Sequence, residues 1–224
     1  MQTITVVINN HDLLTWPRAM VADIASFSSV GDIVFVDNGS TYPPLLDWHS
    51  TLAHRVIRLP NVGHKAPWLP EVKQAIKTQR YVVSDPDLDL SRTPRDCLDH
   101  LSWCLDQIPQ AGKMGLGLEH ADVPPDSPCF ASVTKDTAII AKRPIFLGVI
   151  RAAPTDTTFA IYDKALLDDH KVGGGQTMAP YTARHLPWYV IEPDDELAYY
   201  LRGANASSTY ARTSVTTGRT GSSS

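Results

Sequence analysis

Three carboxylates stand at every second position in Asp85-Pro86-Asp87-Leu88-Asp89, directly after the apolar run Tyr81-Val82-Val83-Ser84. The run reads as a buried strand ending at Ser84, which puts the acids at its carboxyl edge. In open α/β sheets that edge is where ligands bind. Alternate acids in an extended segment can converge, and three uncompensated charges repel one another unless a cation sits among them. Oxygen-rich sites of this kind suit Mg²⁺ or Mn²⁺, which usually hold substrate phosphates as well. Taken alone, an Asp-x-Asp is more often a solvated turn than a metal site.

Two further strand ends carry polar residues. Ile4–Ile8 runs into Asn9-Asn10, and Ile33-Val34-Phe35-Val36 runs into Asp37-Asn38-Gly39-Ser40. Lined up on one edge, these groups suit a nucleotide. Asp37, placed past the buried part of its strand, can accept from a ribose hydroxyl or a uracil imide. Asn9 and Asn10 can offer backbone groups to the base, and a metal on Asp85 and Asp87 would neutralise a diphosphate. Alone, Asp37-Asn38-Gly39-Ser40 is β-turn chemistry. Joined to the acids about fifty residues later, it reads as part of a site.

The elements that would position these groups alternate. Helical spacing covers Trp16–Ser28, with Met20, Ile24 and Phe27 on one face, then Pro43–Leu52 and Glu71–Thr78. Strands are expected at Ile4–Ile8, Ile33–Val36, Arg55–Leu59 and Tyr81–Ser84. This βα cadence with continuous apolar strands predicts a mostly parallel α/β sheet with helices on both faces. Later, Thr93–Ile108 is expected as an amphipathic helix, Met114–Leu118 and Thr137–Ile140 as strands, and Phe159–Tyr162 as a strand or a helix start. Gly173–Thr177 is expected as a mobile loop. One domain over residues 1–206 follows, with a nucleotide-binding half (1–90), an acceptor half (91–206) and a flexible tail (207–224).

Composition bounds the function. The chain has 224 residues, 43% of them hydrophobic, and a net charge of −4. No Lys/Arg run exceeds two residues, which argues against wholesale binding to nucleic acid or an anionic membrane and leaves local basic spots as candidates. No stretch has the length of an integral membrane segment. The amino terminus lacks a basic region and a cleavage site, so it reads as a strand. Cys97, Cys104 and Cys129 are odd in number and unpaired in spacing. They read as free thiols in a reducing compartment, with cytoplasm as the expectation.

On Thr5-Val6-Val7-Ile8-Asn9-Asn10, Val36-Asp37-Asn38-Gly39-Ser40, Val82-Val83-Ser84-Asp85-Pro86-Asp87 and His185-Leu186-Pro187-Trp188-Tyr189, the chain resembles the glycosyltransferases of the GT-A fold. The resemblance is to the small family-2-like enzymes that build cell-surface polysaccharides. It implies a nucleotide-diphosphate sugar donor, UDP-linked by preference, a saccharide or glycan acceptor, and Mn²⁺ or Mg²⁺. Asp37 matches the aspartate that contacts the nucleotide, and Asn9 and Asn10 match the first loop around the base. Asp85 and Asp87 match the metal-binding pair, the second of which ligates directly. Lys65, in Gly63-His64-Lys65, falls where a loop touches the donor; its competing reading is an exposed surface lysine. His185 is a third metal ligand by resemblance, or else packs beside Trp188. Trp188 and Tyr189 read as core.

An inverting transferase needs a base near the acceptor hydroxyl. Glu119, Asp122, Asp126 and Asp156 are the candidates, ranked Asp156 first and Asp122 second; Glu119 and Asp122 could instead bind acceptor, and Asp156 could instead cap a helix. Two rivals stay open. A haloacid-dehalogenase-like phosphatase also carries Asp-x-Asp after a strand, but in its first strand, and three strands precede this one. A non-catalytic nucleotide-sugar-binding module would bind donor without turnover. An EF-hand is excluded, because Leu90 stands where the loop needs glycine and Asp96 where it needs glutamate.

Overall fold

The four apolar runs of the first 84 residues become four strands of one parallel array. The computed structural model describes residues 3–108, 110–155, 158–166 and 173–204. The first part runs β1 (Ile4–Asn10), α1 (Thr15–Ile24), β2 (Val30–Asn38), α2 (Pro43–Thr51), β3 (Arg55–Leu59), a 3₁₀ segment (Gly63–Trp68), α3 (Pro70–Ala75) and β4 (Arg80–Ser84). It continues through β5 (Leu88–Asp89), α4 (Cys97–Gln107), β6 (Lys113–Gly115), β7 (Gly117–Glu119), α5 (Phe130–Ala141), β8 (Ile145–Phe146) and β9 (Ile150–Arg151). The last elements are β10 (Ala160–Asp163), β11 (Gly174–Thr177), β12 (Thr182–His185) and α6 (Asp195–Gly203).

The main sheet has the order β3-β2-β1-β4-β10-β6-β11-β9-β8. Strands β3, β2, β1 and β4 are parallel, and β10 then pairs antiparallel with both β4 and β6. Alternate side chains divide between two cores. Val6, Ile8, Ile33, Phe35 and Val82 pack with α1 and α4, through Met20, Ile24, Leu98 and Leu101. Val7, Val34, Val36, Tyr81 and Val83 face the 3₁₀ segment and α3, through Ala66, Val72 and Ala75. Helices therefore cover both faces, which is why β1, β4 and the second half of β2 are buried on both sides, while the edge strand β3 keeps Arg55 and Arg58 exposed.

A second sheet, β5-β12-β7, builds the far side of the site. The parallel pair β6 and β11 sits in the main sheet, and the chain continues from each into the parallel pair β7 and β12. The run expected as one strand over Met114–Leu118 is thus two strands in different sheets. Gly117 permits the step: a Cβ there would lie 2.4 Å from the Thr177 carbonyl oxygen.

Three other expectations are corrected. Thr137–Ile140 is the end of α5 and not a strand, and Ile139 is 50% exposed, so no sheet buries it. Residues 174–177 are not a loop but β11, paired with β6 and β9. Asn9 and Asn10 are not loop residues but the last two of β1. The proposed tail, 207–224, lies outside the described residues.

Helix α6 returns to the amino-terminal edge. Glu196 Oε1 accepts from the amides of Leu14 (2.8 Å) and Thr15 (2.9 Å), and Oε2 accepts from the Thr15 hydroxyl at 2.7 Å. Leu14 offers α1 no side-chain cap, so a carboxylate 182 residues away supplies it. Glu196→Ala is expected to cost ~1 kcal/mol, as the loss of an ordinary cap does. A lower urea midpoint at unchanged m-value would show it.

Candidate functional site

At the end of β4 the chain passes through Asp85 into β5, which pairs antiparallel with β12 so that His185 lies opposite Leu88. This register brings the His185 Nε2 within 3.4 Å of Asp87 Oδ2. The other carboxylate oxygen, Asp87 Oδ1, is buried and has no hydrogen-bond partner. A buried, unsatisfied carboxylate oxygen is costly, and a cation relieves that cost. The His185 ring also lies edge-on to Trp188 at 5.2 Å, as the packing reading of His185 expects. Trp188 and Tyr189 are partly buried against Val123, Cys129 and Val133, as core residues should be.

Asp89 turns elsewhere. In the small sheet Arg184 stands opposite Asp89 on one side and Glu119 on the other. Arg184 Nε lies 3.5 Å from Glu119 Oε2, and its Nη2 binds Asp122. The Tyr189 hydroxyl donates to Asp122 Oδ1 at 2.8 Å. The bond from Tyr189, followed by the charges of Arg184 and Arg92, holds the Asp122 carboxyl below the usual carboxylate range. Burial and the Asp122 carboxylate push the Tyr189 phenol up. Each Asp122 oxygen thus has one donor, Tyr189 on Oδ1 and Arg184 on Oδ2, while the side chain stays about half exposed. Asp156 lies outside the described residues.

At the end of β2, Asp37 is inside the strand and 2% exposed, not past the strand's buried part. Its Oδ1 accepts from the Ser40 amide at 2.9 Å, closing the turn at Gly39, which has φ +74°. Its Oδ2 faces His49 Nδ1 at 3.6 Å and Arg58 Nε at 3.7 Å. Burial pushes this carboxyl up, but Ser40 and the adjoining His49 outweigh it and hold it low. Asn10 donates to the Leu13 carbonyl at 2.7 Å, and Asn38 spans Gly63 and Val62. The Oδ1 atoms of Asn9 and Asn10 are buried without a hydrogen bond. Lys65 is exposed.

The same edge is overlaid by α6. The His11 Nε2 lies 3.2 Å from the Gly203 carbonyl oxygen, and Tyr199 hydrogen-bonds Thr41 and packs 4.9 Å from the Tyr42 ring. Sequence reasoning does not reach His49 or Arg184. His49 sits on an amphipathic helix with no motif around it, and Arg184 is a lone cation in a four-residue strand. Among the described residues no group of three His, Cys, Asp or Glu side chains forms a metal-binding cluster. The donor set that does meet, one carboxylate and one imidazole two residues from a half-buried Asp85, is of a kind that suits a divalent cation. It is not a closed site, and phosphate oxygens commonly complete such a shell.

No family model and no curated protein matches the chain. Solved structures do. The mannosyltransferase PcManGT from Pyrobaculum calidifontis, in complex with GDP-Man and Mn²⁺, is similar with a TM-score of 0.50 and 15% identity, over 90% of this chain and 61% of that one. TarS from S. aureus is similar with a TM-score of 0.52 and 12% identity, over 94% of this chain and 41% of that one. The chain therefore spans less than two thirds of either. Identity this low speaks only for the backbone, and the backbone has the GT-A-type fold.

Proposed function

We propose that the chain transfers a sugar from a nucleotide-diphosphate sugar, UDP-linked by preference, to a saccharide acceptor, with a divalent metal and with inversion. The observation that carries this reading is the Asp87–His185 pair at the carboxyl edge of β4, with one carboxylate oxygen buried and unsatisfied. The structural neighbour holding GDP-Man and Mn²⁺ supports it and adds GDP sugars to the donors worth testing. Asp85, Asp87 and His185 would hold the ion, which when bound would neutralise the leaving diphosphate. Asn9 and Asn10 would line the base, and Lys65 would approach a phosphate from the 3₁₀ segment, where its own side chain is exposed. The acceptor hydroxyl attacks the anomeric carbon, the bond to the diphosphate oxygen breaks, and a carboxylate takes the hydroxyl proton.

Asp156 is the proposed base, since Asp122 is held by Arg184 and Tyr189. A screen of UDP and GDP sugars, read as free nucleotide released with and without Mn²⁺, tests the reaction. Metal-dependent release is expected. Asp156→Asn should keep donor affinity and slow turnover by ~10²-fold, while Asp122→Asn should change turnover little. Donor binding with no release from any sugar, at any acceptor, would leave a binding module in place of an enzyme.

A further inference from the structure

Eight large hydrophobic side chains are exposed among the described residues, and four of them, Ile139, Ile145, Phe146 and Leu147, fall within nine positions. The segment is Ile139-Ile140-Ala141-Lys142-Arg143-Pro144-Ile145-Phe146-Leu147, with two cations and no acid, in a chain of net charge −4. It joins the end of α5 to β8, the outermost strand of the main sheet. Ile145 and Phe146 point to opposite faces of β8, and both are about half exposed (46% and 48%), so neither face of this edge is covered.

The segment is held in one shape. Arg151 Nη1 donates to the Ala141 carbonyl at 2.9 Å and reaches those of Ile140 and Arg143 at 3.4 Å, tying the end of α5 to the β8–β9 hairpin. At the hairpin tip Leu147 has φ +53° and Gly148 φ +72°, with the Val149 amide on the Phe146 carbonyl. Such a turn favours Asn-Gly. A leucine there is strained, and at 64% exposure no packing within the fold offsets the strain. Exposed apolar side chains on a rigid tip, flanked by cations, match the chemistry of an anionic bilayer surface.

We propose that residues 139–147 dock the protein on an anionic membrane surface, with Ile145, Phe146 and Leu147 entering the headgroup boundary and Lys142 and Arg143 meeting lipid phosphates. No helix among the described residues is long and apolar enough to cross a membrane, so the contact is peripheral. Pairing of β8 with a second copy fits less well. The strand is two residues long, and so short an edge pair is too weak to hold two copies together by itself. The inference holds whether or not the chain transfers sugar.

Co-sedimentation of the full chain with vesicles of phosphatidylcholine containing ~30% phosphatidylglycerol, against phosphatidylcholine alone, tests it. Partition onto the anionic vesicles should be at least ~tenfold higher and should fall in ~0.5 M NaCl. Lys142→Glu/Arg143→Glu and Phe146→Asp should each reduce it ~tenfold or more, with unchanged circular dichroism. Leu147→Asn is the sharper variant: it should raise the urea midpoint, by relaxing the turn, while weakening vesicle binding. A merely structural Leu147 would give no loss of binding. Equal partition onto both vesicle types, or variants that bind as the parent does, would overturn the proposal. So would a dimer seen by light scattering that Phe146→Asp dissolves in the absence of any vesicle binding.

Discussion

Asp87→Ala is expected to abolish Mn²⁺-dependent binding of a nucleoside diphosphate while leaving the fold intact. The two halves of this expectation come from different oxygens of one carboxylate. Oδ1 is buried without a hydrogen bond, so its removal takes away an unsatisfied acceptor and should cost little stability. Oδ2 lies 3.4 Å from His185, and in the proposed site both groups hold the ion. Losing even an outer partner of a metal ligand weakens metal affinity 10–100-fold, so losing a direct ligand should cost ~100-fold or more. His185→Ala should cost less, because the carboxylates and the diphosphate still bind the cation. Calorimetry with UDP, with and without Mn²⁺, reads both. A variant that keeps the Mn²⁺ enhancement of the parent would remove Asp87 from the metal site, and a variant that unfolds would show its carboxylate to be structural.

The parallel half of the fold could be read from the sequence because β1, β2 and β4 carry continuous apolar, β-branched runs and β3 a short apolar-rich one, all between helical segments. Arg55–Leu59 is bounded as expected, and Tyr81–Ser84 differs by one residue. The second half hides its strands. Thr137-Ala138-Ile139-Ile140 has strand composition, yet it lies in register with a helix that starts at Phe130 and leaves most of its surface open. Strand β11 is Gly174-Gly175-Gln176-Thr177, held by backbone pairing between β6 and β9, and glycines give no side-chain period to read. A Cβ on Gly174 would lie 2.7 Å from the Lys113 carbonyl oxygen, so its composition records closeness and not mobility.

The site divides on the same physical line. Asp85 and Asp87 are local to one strand end, so their spacing is visible. The meeting of Asp87 with His185 depends on the β5–β12 register, set between segments about a hundred residues apart, and no spacing encodes it. The arrest of Asp122 by Arg184 and Tyr189 is hidden for the same reason. Asp37 is the instructive case: its place at the end of an apolar run is visible, but its contacts with His49 of α2 and Arg58 of β3 are not.

Asp37→Ala should destabilise the protein by ~2–3 kcal/mol, because it strips a buried charge from partners that stay behind. The Ser40 amide loses its acceptor, and His49, whose ring nitrogens have no hydrogen bond, loses the one carboxylate it faces. Asp37→Asn should cost less, since an amide oxygen can still accept from Ser40. The two variants also differ from the parent in pH response. The folded-state pKa of Asp37 is lowered, so its contribution is fully present above the unfolded value of about 3.9 and is lost as pH falls through the folded value. The stability gap between the parent and Asp37→Asn should therefore be constant near neutrality and close below about pH 4. Urea midpoints at equal m-value, taken from neutral to acid pH, measure this. If Asp37→Ala instead keeps the parent's midpoint and loses affinity for UDP, the carboxylate serves the nucleotide and not the turn. A fall in both would assign it both roles, with Oδ1 closing the turn at Ser40 and Oδ2 set against His49 and Arg58.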